Sequence, residues 1–400
     1  MANIREKLDN LYCGLRSLTV FRSLLNDDVI SALSELLKLH ADGKSFDTDI
    51  YSEFVSRLYR RTPDLSEYIF KIICKNENFY ISGRAKGESF DETIERSVIN
   101  ELTLLNELAR LSPEELQYGY YRHFPLAEWK NSEIDFIGEY KKRIENIGRY
   151  GYGHFAEAAM FILKNGETVP VKYPDTQRLS ELYGYERERG EVVANTLALV
   201  NGKKAQNVLL YGDAGTGKSS TVKAVVNEFS DRGLRLVEIT KEQLKDIPLL
   251  ISKLNEAPLK FIIFIDDLTF NAGEDCFGAL KAALEGSVSA RAENTAIYAT
   301  SNRRHLVKES FSDREGDDIH RNDTMQELLS LSARFGLRVN FSRPDKKDYT
   351  AIAAELAKAH DINMPFDELA MKAEQFAISS GNGRSPRTAR QFINQLVMEM

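Results

Sequence analysis

The residues most able to do chemistry are Gly212-Asp213-Ala214-Gly215-Thr216-Gly217-Lys218-Ser219, which fit G-x-x-x-x-G-K-[ST]. The glycines let successive backbone N–H groups turn inward around phosphate oxygens. A helix starting at Lys218 adds the positive end of its dipole. Lys218 is then a point charge for the β- and γ-phosphates, and the Ser219 hydroxyl a ligand for Mg²⁺. With Ser220 beside it, the loop implies a nucleotide such as ATP or ADP. A second acidic feature belongs with it. The apolar run Phe261–Ile265 leads straight into Asp266-Asp267. A carboxylate at the C-terminal end of a buried strand sits beside such a loop. Asp266 is expected to hold Mg²⁺, and Asp267 to orient or deprotonate an attacking water.

These residues need a sheet to position them. Val208–Tyr211, Leu236–Ile239, Phe261–Ile265 and Ala296–Ala299 read as buried strands, and Leu337–Phe341 as a fifth. Amphipathic stretches lie between, including Ser219–Phe229 and Phe277–Leu284. Alternation of this kind predicts an α/β core with a five-stranded parallel sheet covered on both faces. The first ~165 residues read instead as helices. Apolar residues recur at helical spacing from Val29 to Leu37, Ile50 to Leu58, Leu65 to Ile73, Ile94 to Leu111 and Ile134 to Ile147. Asp27 and Asp64 stand where N-caps belong, and Pro113 suits a first turn. After Pro344 three helical segments follow, broken near Asn363-Met364-Pro365 and Gly381-Asn382-Gly383. The expected organisation is a mainly helical domain over 1–170, a nucleotide-binding core over 175–343 and a helical lid over 344–400.

At this point the chain resembles AAA+ ATPases over roughly residues 175–400. More narrowly, it resembles a bacterial family of predicted AAA+ ATPases catalogued as domain of unknown function 815. The residues that carry this are Tyr183-Gly184-Tyr185-Glu186, Asn207–Gly212, Phe264–Leu268 and above all Tyr298-Ala299-Thr300-Ser301-Asn302-Arg303-Arg304-His305-Leu306. The resemblance implies roles for single residues. Asn302 matches the sensor-1 polar residue that holds the attacking water or γ-phosphate. Arg334, in Ser332–Gly336, matches the arginine finger that enters a neighbouring subunit's site, which implies a homo-oligomer. Arg387, in Arg384-Ser385-Pro386-Arg387, matches the sensor-2 arginine of the lid, and Tyr183 and Gly184 fall where such proteins contact adenine. One departure is that many AAA+ proteins carry Asp-Glu where this chain has Asp266-Asp267. Aspartate is one methylene shorter, so slow turnover is expected.

Composition bounds the rest. The 400 residues carry 53 Lys and Arg against 60 Asp and Glu, a net charge of −7, and nearly all of the excess lies in residues 1–200. Neither half is basic, which disfavours indiscriminate attraction to nucleic acid or anionic membranes. Cys13, Cys74 and Cys276 form no CxxC pair, and the six histidines show no HxxxH spacing, so neither a disulfide scaffold nor a zinc site is expected. No signal-peptide core or bilayer-length apolar run occurs, so a cytoplasmic protein is expected. Asp313–Asp318 does not fit an EF-hand loop and reads as a solvated connection.

Three functions compete on this reading. The first is an ATP hydrolase whose cycle acts on a protein partner docked on the acidic N-terminal region. The second is a nucleotide-dependent binding switch with negligible hydrolysis. The third, a helicase-loader-like nucleic-acid protein, is disfavoured by charge.

Overall fold

The computed structural model describes residues 2–121, 124–269, 276–285, 293–302 and 331–399. They form two compact units, 1–157 and 158–400.

The first unit is helical. Its elements are α1 (Ala2–Ser17), α2 (Asp28–Ala41), α3 (Thr48–Tyr59), α4 (Leu65–Lys75), α5 (Phe79–Ala85), α6 (Glu92–Ala109), α7 (Pro113–Leu116), α8 (Phe136–Glu145) and α9 (Ile147–Tyr150). Short polar caps start them. The Asp27 carboxylate accepts from the Val29 and Ile30 amides, and Asp64 accepts from that of Glu67. Ser112 and Glu115 close a capping box with Pro113 at the first helical position. The stripe predicted from Ile134 to Ile147 is broken into α8 and α9 at Asn146, whose backbone leaves the helical region. Leu33, Leu36, Phe54, Leu58, Ile69 and Leu105 are among the fully buried residues that form one core. Within it the Glu101 carboxylate accepts from the amides of Thr19, Val20 and Phe21 and from the Thr19 hydroxyl, tying α6 to the chain that follows α1.

The second unit is built on a mixed, mostly parallel sheet of seven strands. They are β1 (Met160–Lys164), β2 (Glu167–Pro170), β3 (Val208–Gly212), β4 (Leu234–Ile239), β5 (Lys260–Ile265), β6 (Thr295–Ser301) and β7 (Leu337–Phe341), in the order β2-β1-β4-β5-β6-β3-β7. The last five are those predicted, all parallel, with β3 between β6 and β7. The other two correct the five-strand expectation. Residues 160–170 form a hairpin, not a helix, and β1 pairs in parallel with β4. Its turn, Asn165-Gly166, has φ of 51° and 77°, the left-handed pair that an Asn-Gly turn adopts at low cost.

Strand alternation sends Val208, Leu210, Leu236, Ile262, Phe264, Tyr298 and Val339 to one face. There they pack against α10 (Glu186–Val200) and α11 (Lys218–Phe229). Leu209, Val237, Ile263 and Ile297 alternate to the other face and are equally buried. Burial on both faces explains why these strands read as continuous apolar runs. Elements α12 (Ile247–Asn255) and α13 (Cys276–Glu285) complete the α/β part. The last three helices, α14 (Lys346–Ala359), α15 (Phe366–Ser379) and α16 (Pro386–Glu399), pack around Tyr349, Ala353, Leu369, Ala373 and Phe392. Arg384 clamps α15 through two 2.8 Å hydrogen bonds to Glu374, and this pairing holds the Glu374 carboxyl below its ordinary range.

Candidate functional site

The loop of residues 212–219 joins β3 to α11, and its shape follows from three glycines with φ of 131°, 78° and 92° at positions 212, 215 and 217. Gly212 has no room for a side chain, since a Cβ there would stand 2.2 Å from the Phe341 carbonyl oxygen of β7. The Asp213 amide donates to that same carbonyl at 3.1 Å, and the Asp213 carboxylate accepts from the Arg343 amide at 2.8 Å. Thr216 Oγ1 donates to the Asp213 carbonyl at 2.8 Å and closes the loop on itself. The loop is thus clasped to the end of β7 before α11 begins. The first-turn N–H groups of α11 have no partners within the helix and face the loop.

Lys218 is buried, and its ammonium donates to the carbonyls of Gly212 (3.1 Å) and Asp213 (2.7 Å) and to Asn302 Oδ1 (3.0 Å). Burial lowers its pKa, while the charges of Asp213, Asp267 and Asp266 oppose that shift and Arg387 reinforces it. Asn302, just past β6, donates from Nδ2 to Asp267 Oδ1 at 3.0 Å. One polar chain therefore runs from Lys218 through Asn302 to Asp267. A second converges on Asp266, whose Oδ1 accepts from Ser219 Oγ at 2.6 Å and from Thr300 Oγ1 at 2.5 Å. Asp267 takes φ of 50°, unusual for a side-chain-bearing residue. Its amide is held in that turn by Thr300 Oγ1 at 2.9 Å and Asp266 Oδ1 at 3.2 Å.

These groups open on a cavity of about 530 Å³ lined by Ala214, Gly215, Gly217, Lys218, Ser219, Ser220, Asp266, Asp267, Thr300 and Asn302. The start of α16 supplies its opposite wall with Pro386, Arg387, Arg390, Gln391 and Asn394, and Gln177 and Leu182 complete it. Contact between the walls is close. The Arg387 amide donates to the Gly215 carbonyl at 3.2 Å, and Ser385 caps α16 by accepting from the Thr388 amide at 3.1 Å. A smaller cavity of about 30 Å³ adjoins, lined by Leu182, Tyr183, Arg189, Thr216, Gly217, Thr221, Ile352, Leu356, Pro386 and Arg390.

Of the residues singled out from sequence, Ala214, Gly215, Gly217, Lys218, Ser219, Ser220, Asp266, Asp267, Asn302 and Arg387 meet at the larger cavity. Tyr183 and Thr216 line the smaller one. Gly184 lies against α14, where a Cβ would stand 2.6 Å from Ile352 Cδ1, and Asp213 is the clasp to β7. Arg334 is not brought there. It is half-buried three residues before the N-terminal end of β7, and the loop follows the opposite, C-terminal end of β3, because Leu337 pairs with Val208 and Phe341 with Gly212. Residues 303–306 and 313–318 lie outside the described residues.

Thr300, part of the 298–306 run, and Gln177 and Arg390 carry no sequence signal of a role at the site. A threonine inside a strand looks like any β-branched strand former. Its place beside Asp266 comes from β5 and β6 pairing Ile265 with Ala299. Among the described residues no group of three or more His, Cys, Asp or Glu side chains converges as a metal cage. The adjoining Ser219 hydroxyl and Asp266 carboxylate are hard oxygen donors of the kind Mg²⁺ takes when a substrate's phosphates supply other ligands.

The chain is similar to solved structures of low identity. The Thermotoga maritima RuvB Holliday junction branch migration motor is 17% identical, with a TM-score of 0.38 over 54% of this chain and 63% of that one. This chain thus spans less than two thirds of the motor's length. The FIGL-1 AAA domain in complex with ADP is 18% identical, with a TM-score of 0.38 over 57% of this chain and 74% of that one. The family model described as "Protein of unknown function (DUF815)" matches residues 156–400, and the chain belongs to that family.

Proposed function

We propose that residues 158–400 bind ATP with Mg²⁺ and hydrolyse it, as an AAA+ ATPase. The carrying observation is the chain Lys218–Asn302–Asp267 opening on the same cavity as the 212–219 loop. In this reading the loop amides and the α11 N-terminus cradle the β-phosphate. Lys218 exchanges its contacts with the loop carbonyls for phosphate oxygens. Asp267 and Asn302 orient the water for in-line attack and Asp267 accepts its proton, while Arg387 reaches the γ-phosphate from α16. Ser219 and Asp266 would hold Mg²⁺, which when bound neutralises charge on the phosphates. Tyr183 and Gly184 lie toward the base.

Arg334, before the strand end opposite its own loop, suits a finger supplied to a neighbouring copy, so nucleotide-promoted homo-oligomers are part of the proposal. The acidic first unit is proposed as the docking part for a protein partner, with nucleic acid disfavoured and a cytoplasmic setting. No helix among the described residues is long and apolar enough to cross a membrane.

Phosphate release from ATP tests this. Measurable turnover is expected, and Lys218→Ala should lower it about 10²–10³-fold, as loss of one preorganised charge contact does. Wild-type protein that neither binds ATP nor releases phosphate would overturn the proposal. A second reading is favoured by the Asp267 carboxylate's engagement with Asn302 and its short side chain. On that reading the protein is a binding switch, and the same assay shows tight ATP binding without turnover.

A further inference from the structure

Two arginines project from the first turns of α16 into the larger cavity, Arg387 and, three residues on, Arg390. Their surroundings differ. Arg387 is one of four residues whose charges act on Lys218, with Asp213, Asp266 and Asp267, and its amide donates to the Gly215 carbonyl. It therefore faces the end where Lys218, Asp267 and Asn302 meet. Arg390, unlike Arg387, lines the smaller cavity as well as the larger one, and the smaller cavity's other walls include Tyr183, Thr216 and Thr221. It stands at the junction of the two.

Arg390 is also held in place. A guanidinium only donates hydrogen bonds, so the facing Gln177 amide presents its oxygen, which accepts from Arg390 Nη2 at 2.5 Å and Nη1 at 3.0 Å. Gln177 is fixed in turn to the helix that follows the phosphate loop. Asn227, on α11, donates from Nδ2 to the carbonyls of Asp175 and Gln177, both at 2.9 Å. The Asn227 carbonyl accepts from Arg178 Nη1 at 3.3 Å. The side chain of Arg390 thus comes from the last helix, while its aim is set from α11.

We propose that Arg390 binds the α-phosphate, at the base-proximal end of the polyphosphate, and that Gln177 is its positioning residue. The proposal rests on the nucleotide reading above. A planar fork beside a polyphosphate offers two parallel hydrogen bonds that a lysine cannot reproduce. Gln177 leaves part of that fork unsatisfied, so phosphate oxygens complete it. The two arginines then divide the nucleotide between them. Arg387 distinguishes triphosphate from diphosphate, and Arg390 supports both equally.

The test is equilibrium binding of ADP and of a non-hydrolysable ATP analogue to the full chain, with Arg390→Ala, Arg390→Lys, Gln177→Ala, the Arg390→Ala/Gln177→Ala double variant and Arg387→Ala. Arg390→Ala should weaken both ligands about 10-fold, a typical loss for a charged hydrogen bond. Arg390→Lys should recover only part of this, and Arg387→Ala should weaken the ATP analogue selectively. Gln177→Ala should weaken both ligands a few-fold, and add nothing once Arg390 is alanine. Thermal unfolding without nucleotide should be unchanged in Gln177→Ala and Arg390→Ala.

Several outcomes overturn the proposal. One is wild-type ADP affinity in Arg390→Ala, and another is loss confined to the ATP analogue. Additive effects in the double variant would reject the positioning role. An equal fall in nucleotide-free melting temperature would make the pair a structural tie. Failure of the wild-type chain to bind either ligand would instead strike the nucleotide reading itself.

Discussion

Replacing Thr300 by valine removes one hydroxyl and almost no volume, and the structure makes the consequence calculable. Thr300 is 2% exposed; its Oγ1 donates to Asp266 Oδ1 at 2.5 Å and accepts from the Asp267 amide at 2.9 Å. The bond to a carboxylate falls in the class worth about 1.5–3 kcal/mol. The Asp267 amide is not stranded by the change, because Asp266 Oδ1 still lies 3.2 Å away. The net loss should therefore be about 2 kcal/mol, or about 4–8 °C in the melting temperature of a unit this size. Activity should suffer more than stability suggests. Thr300 fixes the Asp266 carboxylate and the left-handed turn that aims Asp267, and small misplacements of reacting groups cost about 10–10²-fold. Steady-state phosphate release should show kcat down by that factor with KM nearly unchanged, and Thr300→Ser, which keeps the hydroxyl, should retain most of the rate. A valine variant with wild-type melting temperature and wild-type kcat would refute both the hydrogen-bond assignment and the positioning role.

Other expectations can be measured separately. Glu101→Ala leaves the amides of Thr19, Val20 and Phe21 without their acceptor, and should cost about 3 kcal/mol or more. The loss should appear as faster hydrogen exchange over residues 18–26. Burial lowers the pKa of His40, against the raising effect of its contact with the Leu116 carbonyl. The unfolded state thus takes up the proton first as pH falls, so the histidine's contribution is intact above about pH 6.5 and is lost on further acidification through the folded-state value. Denaturant titrations from pH 7.5 to 5 should show that slope, flattened in His40→Gln. Two loop glycines should behave differently. Gly217→Ala meets nothing within 4 Å and carries only its left-handed backbone penalty, about 1–2 kcal/mol. Gly212→Ala drives a Cβ into the Phe341 carbonyl and should destabilise by about 3 kcal/mol or more, read by thermal unfolding.

The parts of this protein legible in its sequence are those whose physical cause is local. The 212–219 loop is such a case, since strand, glycines, lysine and helix start all fall within 22 consecutive residues, from Val208 to Phe229. Asp266 is another, because a buried strand announces its own end. The β1–β2 hairpin is equally local: Asn165-Gly166 is a strong short hairpin signal, masked by the helical texture that runs through the preceding residues.

What no local pattern carries is register and convergence. Thr300 is placed by the pairing of β6 with β5, Gln177 by an asparagine 50 residues later on α11, and Arg390 by the packing of α16 across the loop. The same distinction bears on Arg334. The resemblance implies a catalytic arginine, yet strand pairing sets it at the N-terminal end of β7, the strand end opposite its own loop. An arginine that does not line its own chain's cavity is proposed to act on catalysis in another copy's. If Arg334 serves that role, mixing a Lys218→Ala chain with an Arg334→Ala chain must restore phosphate release, since their mixed interfaces would include some with both residues intact. If each single variant is inactive and the mixture stays inactive while still co-assembling, the arginine does not act in trans, and its place at that strand end is structural.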